Sequence, residues 1–196
     1  MTPTLTFDPA AHEYRLDGKR LLSVTQVLER AGIIDYSRIP PATREMALAR
    51  GRAVHEAIAL DIEGDLDESS VEPIMGYVEA ARAARAQLGI ARPDRVECIG
   101  YHPRYLYAGT VDFAHGYLVG DWKCNKVEWW VRLQTAAYAA MQPEPGLFRR
   151  VGVELHGDGK FHIEPFEARH FRRDMADFLA VFRTAQLLDE NVRGRR

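Results

Sequence analysis

The stretch Tyr107-Ala-Gly-Thr-Val-Asp-Phe-Ala-His-Gly-Tyr-Leu-Val-Gly-Asp-Trp-Lys123 decides the fold of this chain. Its hydrophobic residues, with a short break in the middle, predict a β-hairpin with strands at 105–114 and 117–123. His115-Gly116 is the predicted two-residue turn, because glycine tolerates the positive φ angles that tight hairpin turns need. The hairpin is therefore expected to lie within a sheet.

Three charged side chains lie on these two strands within twelve residues, namely Asp112, Asp121 and Lys123. With the predicted turn, Asp112 pairs with Val119, and Asp121 and Lys123 share the face of Asp112 because side chains alternate along a strand. Asp121 then lies on the diagonal, about 7–8 Å away. Two carboxylates can hold a divalent metal ion, and an ammonium group beside them can steer a water or stabilise phosphate charge. The alternative is an exposed hairpin with solvated charges, but Trp122 favours burial, where a charge needs a partner or a metal.

The rest of the chain alternates between helical and extended patterns. Ser23 offers a capping box with Gln26 at the start of the first predicted helix. The order of elements predicts an α/β fold, a single domain over 1–196 with a central mixed β-sheet flanked by helices. It divides into N-terminal strands and helices at 1–90, a catalytic core at 91–165 and a C-terminal helix at 168–190. The predicted strands are 5–7, 13–16, 95–101, 105–114, 117–123, 148–156 and 161–165, and the predicted helices are 25–31, 42–63, 71–88, 130–141 and 168–190.

The helix at 42–63 carries Arg44, Leu48, Gly51, His55 and Ile58 at helical spacing, so they share one face. Gly51 is expected to allow close contact with a neighbouring element, and His55 to point inward. Taken alone, an inward histidine is more often a hydrogen-bonded core residue than a ligand.

Gln134 and Tyr138 lie one turn apart on the helix at 130–141, and so on the same face. The carboxamide could orient a phosphate or a water, and the phenol could hydrogen-bond the backbone of a substrate. The alternative, a tyrosine packed on the sheet beside an exposed glutamine, is favoured when the pair is taken alone.

The charge balance gives no basic excess, with 26 Lys and Arg against 28 Asp and Glu and a net charge of −2. A protein that coats nucleic acid electrostatically usually has such an excess, so contact with DNA is expected to be local. Trp129-Trp130 could stack on an unpaired base, although packing at the helix start is the commoner role. The candidate phosphate contacts are Arg44, Arg52, Lys126, Arg132 and the tail 193–196.

The two cysteines, Cys98 and Cys124, fit a reducing cytosol and cannot supply the four thiolates of a typical iron–sulfur cluster. The chain has no apolar run near the roughly 20 residues that span a bilayer. Its first residues have neither the basic flank nor the apolar core of a signal peptide. We therefore expect a cytoplasmic protein with no membrane partner and no iron–sulfur cluster.

Four short motifs occur in order along the chain, namely Gly51-x-x-x-His55, Gly109-Thr-Val-Asp112, Asp121-Trp-Lys123 and Gln134-x-x-x-Tyr138. Together they resemble the RecB-type branch of the PD-(D/E)xK nuclease superfamily, which includes phage exonucleases. The resemblance covers roughly residues 22–141. Ser23-Val-Thr25 matches a stretch that often enters the first helix in this branch, and Glu97 is the counterpart of a frequent acidic residue on the preceding strand.

This resemblance implies a restriction-endonuclease-like core and a role for each matching residue. Asp112 and Asp121, with the main-chain carbonyl of Trp122, are expected to bind Mg²⁺ or Mn²⁺, and His55 to add a ligand. Lys123 is expected to position or activate the attacking water. The implied supporting and DNA-contacting residues are Gln134, Tyr138, Glu97 (as an outer group) and Arg52.

The resemblance implies a metal-dependent DNA exonuclease of DNA repair, recombination or phage DNA metabolism, encoded by a prokaryote or a phage. The expected partner is DNA, as single strands or double-stranded ends, with a recombination or single-strand-binding protein as a further candidate. Two alternatives stay open: an endonuclease with the same core, and a non-catalytic DNA-binding or recombination accessory module. The oligomeric state, strand polarity and processivity also stay open.

Overall fold

The computed structural model describes residues 3–193, and the side chains of 3–189. The basic tail that was expected to contact DNA lies outside this part, apart from the backbone of Arg193. Short 3-10 helices occupy Glu68–Ile74, Pro145–Leu147 and Ala168–His170. In chain order, the other elements are β1 (Leu5–Asp8), β2 (Glu13–Leu16), β3 (Lys19–Ser23), α1 (Val24–Arg30), α2 (Pro41–Glu63), α3 (Met75–Gln87), β4 (Arg95–Tyr101), β5 (Tyr107–His115), β6 (Leu118–Lys123), α4 (Val131–Ala140), β7 (Arg149–Leu155), β8 (Phe161–Phe166) and α5 (Phe171–Arg193).

The strands form one mixed sheet of eight, in the order β1-β2-β3-β5-β6-β7-β8, with β4 paired to β5. β5 is the central strand because it has three partners. β4 pairs antiparallel with one edge of β5. The other edge of β5 pairs with β3 (parallel) and with β6 (antiparallel). The prediction of a single α/β domain with a mixed central sheet and flanking helices is confirmed.

Two local predictions differ from the structure. β3 was not predicted, because its five residues run directly into Ser23, which forms the predicted capping box with Gln26 and begins α1. The helix expected over 71–88 starts only at Met75. Pro73 lies in the preceding 3-10 helix, where its missing N–H fits an irregular turn better than the interior of an α-helix.

The predicted turn of the central hairpin is wrong by one residue. The ladder pairs His115 with Leu118, so the loop is Gly116-Tyr117, and Gly116 has a positive φ of 51°. The register therefore shifts by two residues. If the observed register is extended beyond the last hydrogen-bonded pair, Asp112 lies opposite Asp121 instead of opposite Val119. An even shift by itself does not change which face of a regular hairpin a side chain occupies.

The core has two main clusters, one on each face of the sheet. The cluster with α1, α4 and α5 is centred on residues such as Leu28, Tyr107 and Phe178. The cluster with α2 and α3 includes Ile58 and Trp122. No helix in residues 3–193 is both long and apolar enough to cross a membrane.

One buried ion pair joins α5 to the sheet. Arg150 on β7 is fully buried, and its guanidinium donates to the carboxylate of Asp174 at 2.8 Å. Since breaking such a pair leaves an uncompensated buried charge, the pair ties α5 firmly to the sheet.

Candidate functional site

The sheet splits between β5 and β6, and the candidate site lies at this split. The ladder between the two strands ends at the pair Phe113 and Gly120. Beyond that pair, β6 stays on β7 and β5 stays on β4. The backbone N–H of Trp122 donates instead to Oδ2 of Asp112 at 2.7 Å. The Asp112 carboxylate therefore replaces a backbone acceptor of the ladder. This hydrogen bond fixes Oδ2 of Asp112 and leaves Oδ1 available to a ligand.

The backbone is irregular at the two acidic residues of β4 and β5. Val111 packs with the α4 cluster and Phe113 with the α2 cluster, although residues two apart on a regular strand share a face. β5 therefore changes face at Asp112. Opposite it on β4, Glu97 has a positive φ of 45°, which is costly for a residue with a side chain. Such strain is tolerated where it aims a side chain, and here it turns Glu97 toward α2.

His55 on α2 meets these two acids. Its Nδ1 lies 3.2 Å from Oε1 of Glu97 and 3.7 Å from Oδ2 of Asp112. Its Nε2 lies 3.2 Å from the main-chain oxygen of Trp122. Because a carbonyl only accepts, Nε2 must carry the donated proton. In a neutral imidazole the lone pair would then be on Nδ1, facing two carboxylates, whereas in an imidazolium Nδ1–H donates to them, so positive charge is favoured here, from a proton or from a metal ion.

The pKa values of the cluster agree with this need for positive charge. Burial would lower the pKa of His55, but the carboxylates of Asp112, Glu97 and Asp121 outweigh it and raise the pKa to about 9. Burial also raises the pKa of Asp112, and the nearby carboxylates of Asp121 and Glu97 add to the shift. Both groups hold protons above their ordinary pKa range, His55 because of the neighbouring carboxylates and Asp112 first because of its burial.

The donor set fits a divalent metal ion. One ligand atom from each of His55, Glu97 and Asp112 lies within 4.8 Å of the other two. Ligands on opposite sides of an octahedral magnesium ion are about 4.2 Å apart, twice a metal–oxygen distance of 2.0–2.1 Å. Donor atoms at these separations could hold a divalent ion between them. The imidazole nitrogen favours Mn²⁺ over Mg²⁺, which prefers oxygen ligands.

Asp121 and Lys123 form a second part of the site. Oδ2 of Asp121 lies 2.5 Å from Nζ of Lys123, and Asp121 is almost fully buried. Burial would lower the pKa of Lys123, but Asp121 and Asp112 raise it, so the side chain stays an ammonium. Asp121 lies outside the three-residue cluster, and its expected role as a metal ligand stays a prediction.

Gln134 and Tyr138 are both buried on α4, beside the acidic residues. The Gln134 amide donates to the Tyr138 hydroxyl at 2.9 Å. Burial and the carboxylates of Asp121 and Asp112 raise the pKa of Tyr138 well above its ordinary value, so the phenol stays neutral and able to donate. Gly109 makes this approach possible, because a Cβ there would lie 2.8 Å from the Tyr138 ring. The alternative of an exposed glutamine is wrong.

The expected DNA-contacting residues fall into two groups. Arg44 and Arg52 line a groove of about 480 Å³ beside α2, together with Tyr36 and Leu48. Arg132 is instead ion-paired, at 2.7 Å, to Asp174 and to a second aspartate on α5. A phosphate would have to compete with two fixed carboxylates for Arg132, so it is a poor phosphate contact.

The expected close contact at Gly51 is wrong. A Cβ built on Gly51 meets no atom within 4 Å, so nothing in the described part of the chain packs against it. The glycine leaves open space on the helix one turn before His55.

Sequence reasoning missed two tyrosines near the site. The Tyr36 hydroxyl lies close enough to Lys123 for each group to affect the pKa of the other. The Tyr14 hydroxyl is 2.7 Å from Oγ1 of Thr110, on the strand of Asp112. Neither tyrosine belongs to a motif, and only the fold brings them here. Glu97 was expected only as an outer group, yet it lies within the candidate metal cluster.

No protein-family model matches the chain, and no curated protein matches it. What the site can do must therefore be worked out from its own chemistry.

Proposed function

We propose that the chain is a metal-dependent deoxyribonuclease of the RecB-type branch of the PD-(D/E)xK superfamily, with a restriction-endonuclease-like core. It hydrolyses DNA phosphodiester bonds with Mg²⁺ or Mn²⁺. Its proposed role is that of an exonuclease in DNA repair, recombination or phage DNA metabolism.

One observation carries the proposal: side chains from separate elements converge at the split in the sheet. His55 comes from α2, Glu97 from β4, Asp112 from β5, and Asp121 and Lys123 from β6. Solvated surface charges would have no reason to converge, and a plain structural domain would not gather three acids around one histidine. The arrangement has the parts of a phosphodiesterase, namely a cation site and a fixed ammonium beside it.

The residues divide the proposed work between them. A divalent ion held by His55, Glu97 and Asp112 would supply Lewis-acid chemistry and lower the pKa of a bound water. Lys123 offers a fixed positive charge to the phosphate oxygen where negative charge grows. Asp121 holds that ammonium in place through its 2.5 Å ion pair.

The α4 pair has a supporting role. The neutral phenol of Tyr138 can donate to a phosphate or a water, and Gln134 holds its hydroxyl. The Oε1 atom of Gln134 is buried and has no hydrogen-bond partner within the described residues. Since buried polar atoms are rarely left unpaired, this oxygen is a candidate acceptor for an attacking water.

A cleavage assay with Mg²⁺ or Mn²⁺ tests the proposal. End-labelled linear DNA should be shortened from its end while closed circular DNA stays intact, and cutting of the circle would point to the endonuclease alternative. Lys123→Ala should lose cleavage; because the change leaves the buried Asp121 carboxylate without its ion-pair partner, thermal melting must show that the variant is still folded. Lys160→Ala, on an exposed loop, is the matched control and should cleave normally.

Asp121→Asn separates catalysis from binding. It keeps the shape of the side chain but removes the charge that holds Lys123, so cleavage should fall while DNA binding persists. A wild-type cleavage rate in either the Asp121 or the Lys123 variant would refute the assignment. DNA binding without any cleavage in the wild-type protein would favour the accessory-module alternative.

A further inference from the structure

Trp129 is a large aromatic side chain at the surface, just before α4. Its exposed fraction is 56%, while Trp130 packs against the core. The Trp130 ring also lies 5.4 Å from Nζ of Lys123. Trp129 is the residue before Trp130, and its own ring turns to Arg132 instead of Lys123. Packing at the helix start, the commoner role for such a pair, accounts for Trp130, whereas Trp129 keeps most of its ring exposed.

One face of the Trp129 ring contacts a cation. The guanidinium of Arg132 lies 5.7 Å from its centroid. Arg132 is itself fixed by ion pairs to Asp174 and Asp177, each at 2.7 Å. Asp174 is buried and also pairs with Arg150. The ring therefore rests on a rigid network, which lowers the entropic cost of binding a flat ligand to it.

We propose that Trp129 stacks on an unpaired base of the substrate, next to the phosphate that reaches Lys123. This inference rests on the proposed function and names its substrate class, DNA that is single-stranded at the site. Bases in a duplex are already stacked on their neighbours, so a protein ring can stack on a base only where the strand is unpaired. Any base offers a π face, so the contact carries no sequence preference.

The surrounding charges fit a polynucleotide better than a protein partner. Lys126 is exposed on the loop just before Trp129. The groove with Arg44 and Arg52 also contains Tyr36, whose hydroxyl raises the pKa of Lys123. An otherwise slightly acidic chain thus places cations near an exposed aromatic ring, a combination typical of single-strand binding.

The test is the affinity for a fluorescent single-stranded oligothymidine, measured by anisotropy with Mg²⁺ in a Lys123→Ala background. Trp129→Ala should weaken binding by about 5-fold to 150-fold, the range for loss of one stacked base. Trp129→Phe should restore most of the affinity. Tyr117→Ala is the matched control, because Tyr117 is 52% exposed and lies six residues from Lys123 along the strand, about 20 Å.

The comparison with blunt duplex DNA decides the substrate class. Trp129→Ala should affect the single strand much more than the duplex. An equal loss for both, an unchanged affinity for the single strand, or the same loss in Tyr117→Ala would overturn the inference. If the wild-type protein cleaves nothing but Trp129 still governs single-strand affinity, the nuclease proposal fails and the stacking role stands.

Discussion

Replacing Gly51 with alanine should make the protein more stable and, if DNA passes over α2, less able to bind it. Gly51 lies in the middle of α2, one turn before His55 on the same face. Glycine in a helix interior costs about 1 kcal/mol relative to alanine, because it loses more backbone freedom on folding. The new methyl group would meet no atom within 4 Å. The expected gain is therefore close to the full propensity difference, about 1 kcal/mol.

A gain of that size should raise the melting temperature by about 2–4 °C for a chain of this length. Thermal unfolding followed by circular dichroism measures it. Gly76→Ala is the matched control in another helix, because a Cβ there would lie 1.9 Å from the carbonyl oxygen of Gly157 and should lower the melting temperature. The pair separates helix propensity from steric fit.

The functional readout uses the same Gly51→Ala protein. A glycine that lowers stability and contacts nothing in the described chain is explained if a ligand backbone approaches it closely. DNA affinity should therefore fall while stability rises. An unchanged DNA affinity would refute the idea that substrate occupies this space, and a lower melting temperature would show that the helix surface at Gly51 is not open.

Three further outcomes are expected. In EDTA, the free energy of unfolding should fall by at most about 3 kcal/mol as pH rises from about 6.5 to 9. Protonated His55 contributes stability that is complete below its unfolded pKa and is lost above its folded pKa of about 9. Thermal melts that show no such fall would contradict this. With Mg²⁺ or Mn²⁺ the fall should be smaller, since metal affinity grows as protons leave. Glu97→Gln should weaken Mn²⁺ binding at least tenfold in calorimetric titration, and Asp94→Asn, an exposed acid, should not. Gly109→Ala should lower cleavage, because its methyl group displaces the Tyr138 ring, and an unaltered rate would argue against a role for that phenol.

The helix limits that were predicted well from the sequence are set by short local motifs. The capping box at Ser23, the proline at the start of α2 and the left-handed Gly64 at its end set helix limits within a few residues. Such features depend on neighbours in sequence, so one chain is enough to find them. β3 was missed although the Asp17-Gly18 turn pairs it with β2, because the strand is short and ends at the residue that caps α1.

The sequence predicted which residues belong to the candidate site better than it predicted how they are arranged. Regular alternation was assumed to place Asp112, Asp121 and Lys123 on one face, but β5 changes face at Asp112 and the split in the sheet brings the groups together. Residue identity does not reveal a backbone break of this kind. The left-handed conformation of Glu97 was equally invisible, and it is what moves that carboxylate from an outer position into the candidate cluster.

The charges at the split explain why these departures from regular structure are tolerated. Three carboxylates (Glu97, Asp112 and Asp121) face one ammonium, Lys123, so two negative charges are left when His55 is neutral. The neighbouring carboxylates raise the pKa of His55, whereas burial is the first cause of the raised pKa of Asp112 and the carboxylates of Asp121 and Glu97 add to it. A divalent cation would balance the same two charges and would compete with those protons. Under the proposed function, the strain at Glu97, the lost ladder bond at Trp122 and the proton affinity of the cluster would share one explanation, a site that holds a doubly charged ion beside a fixed lysine.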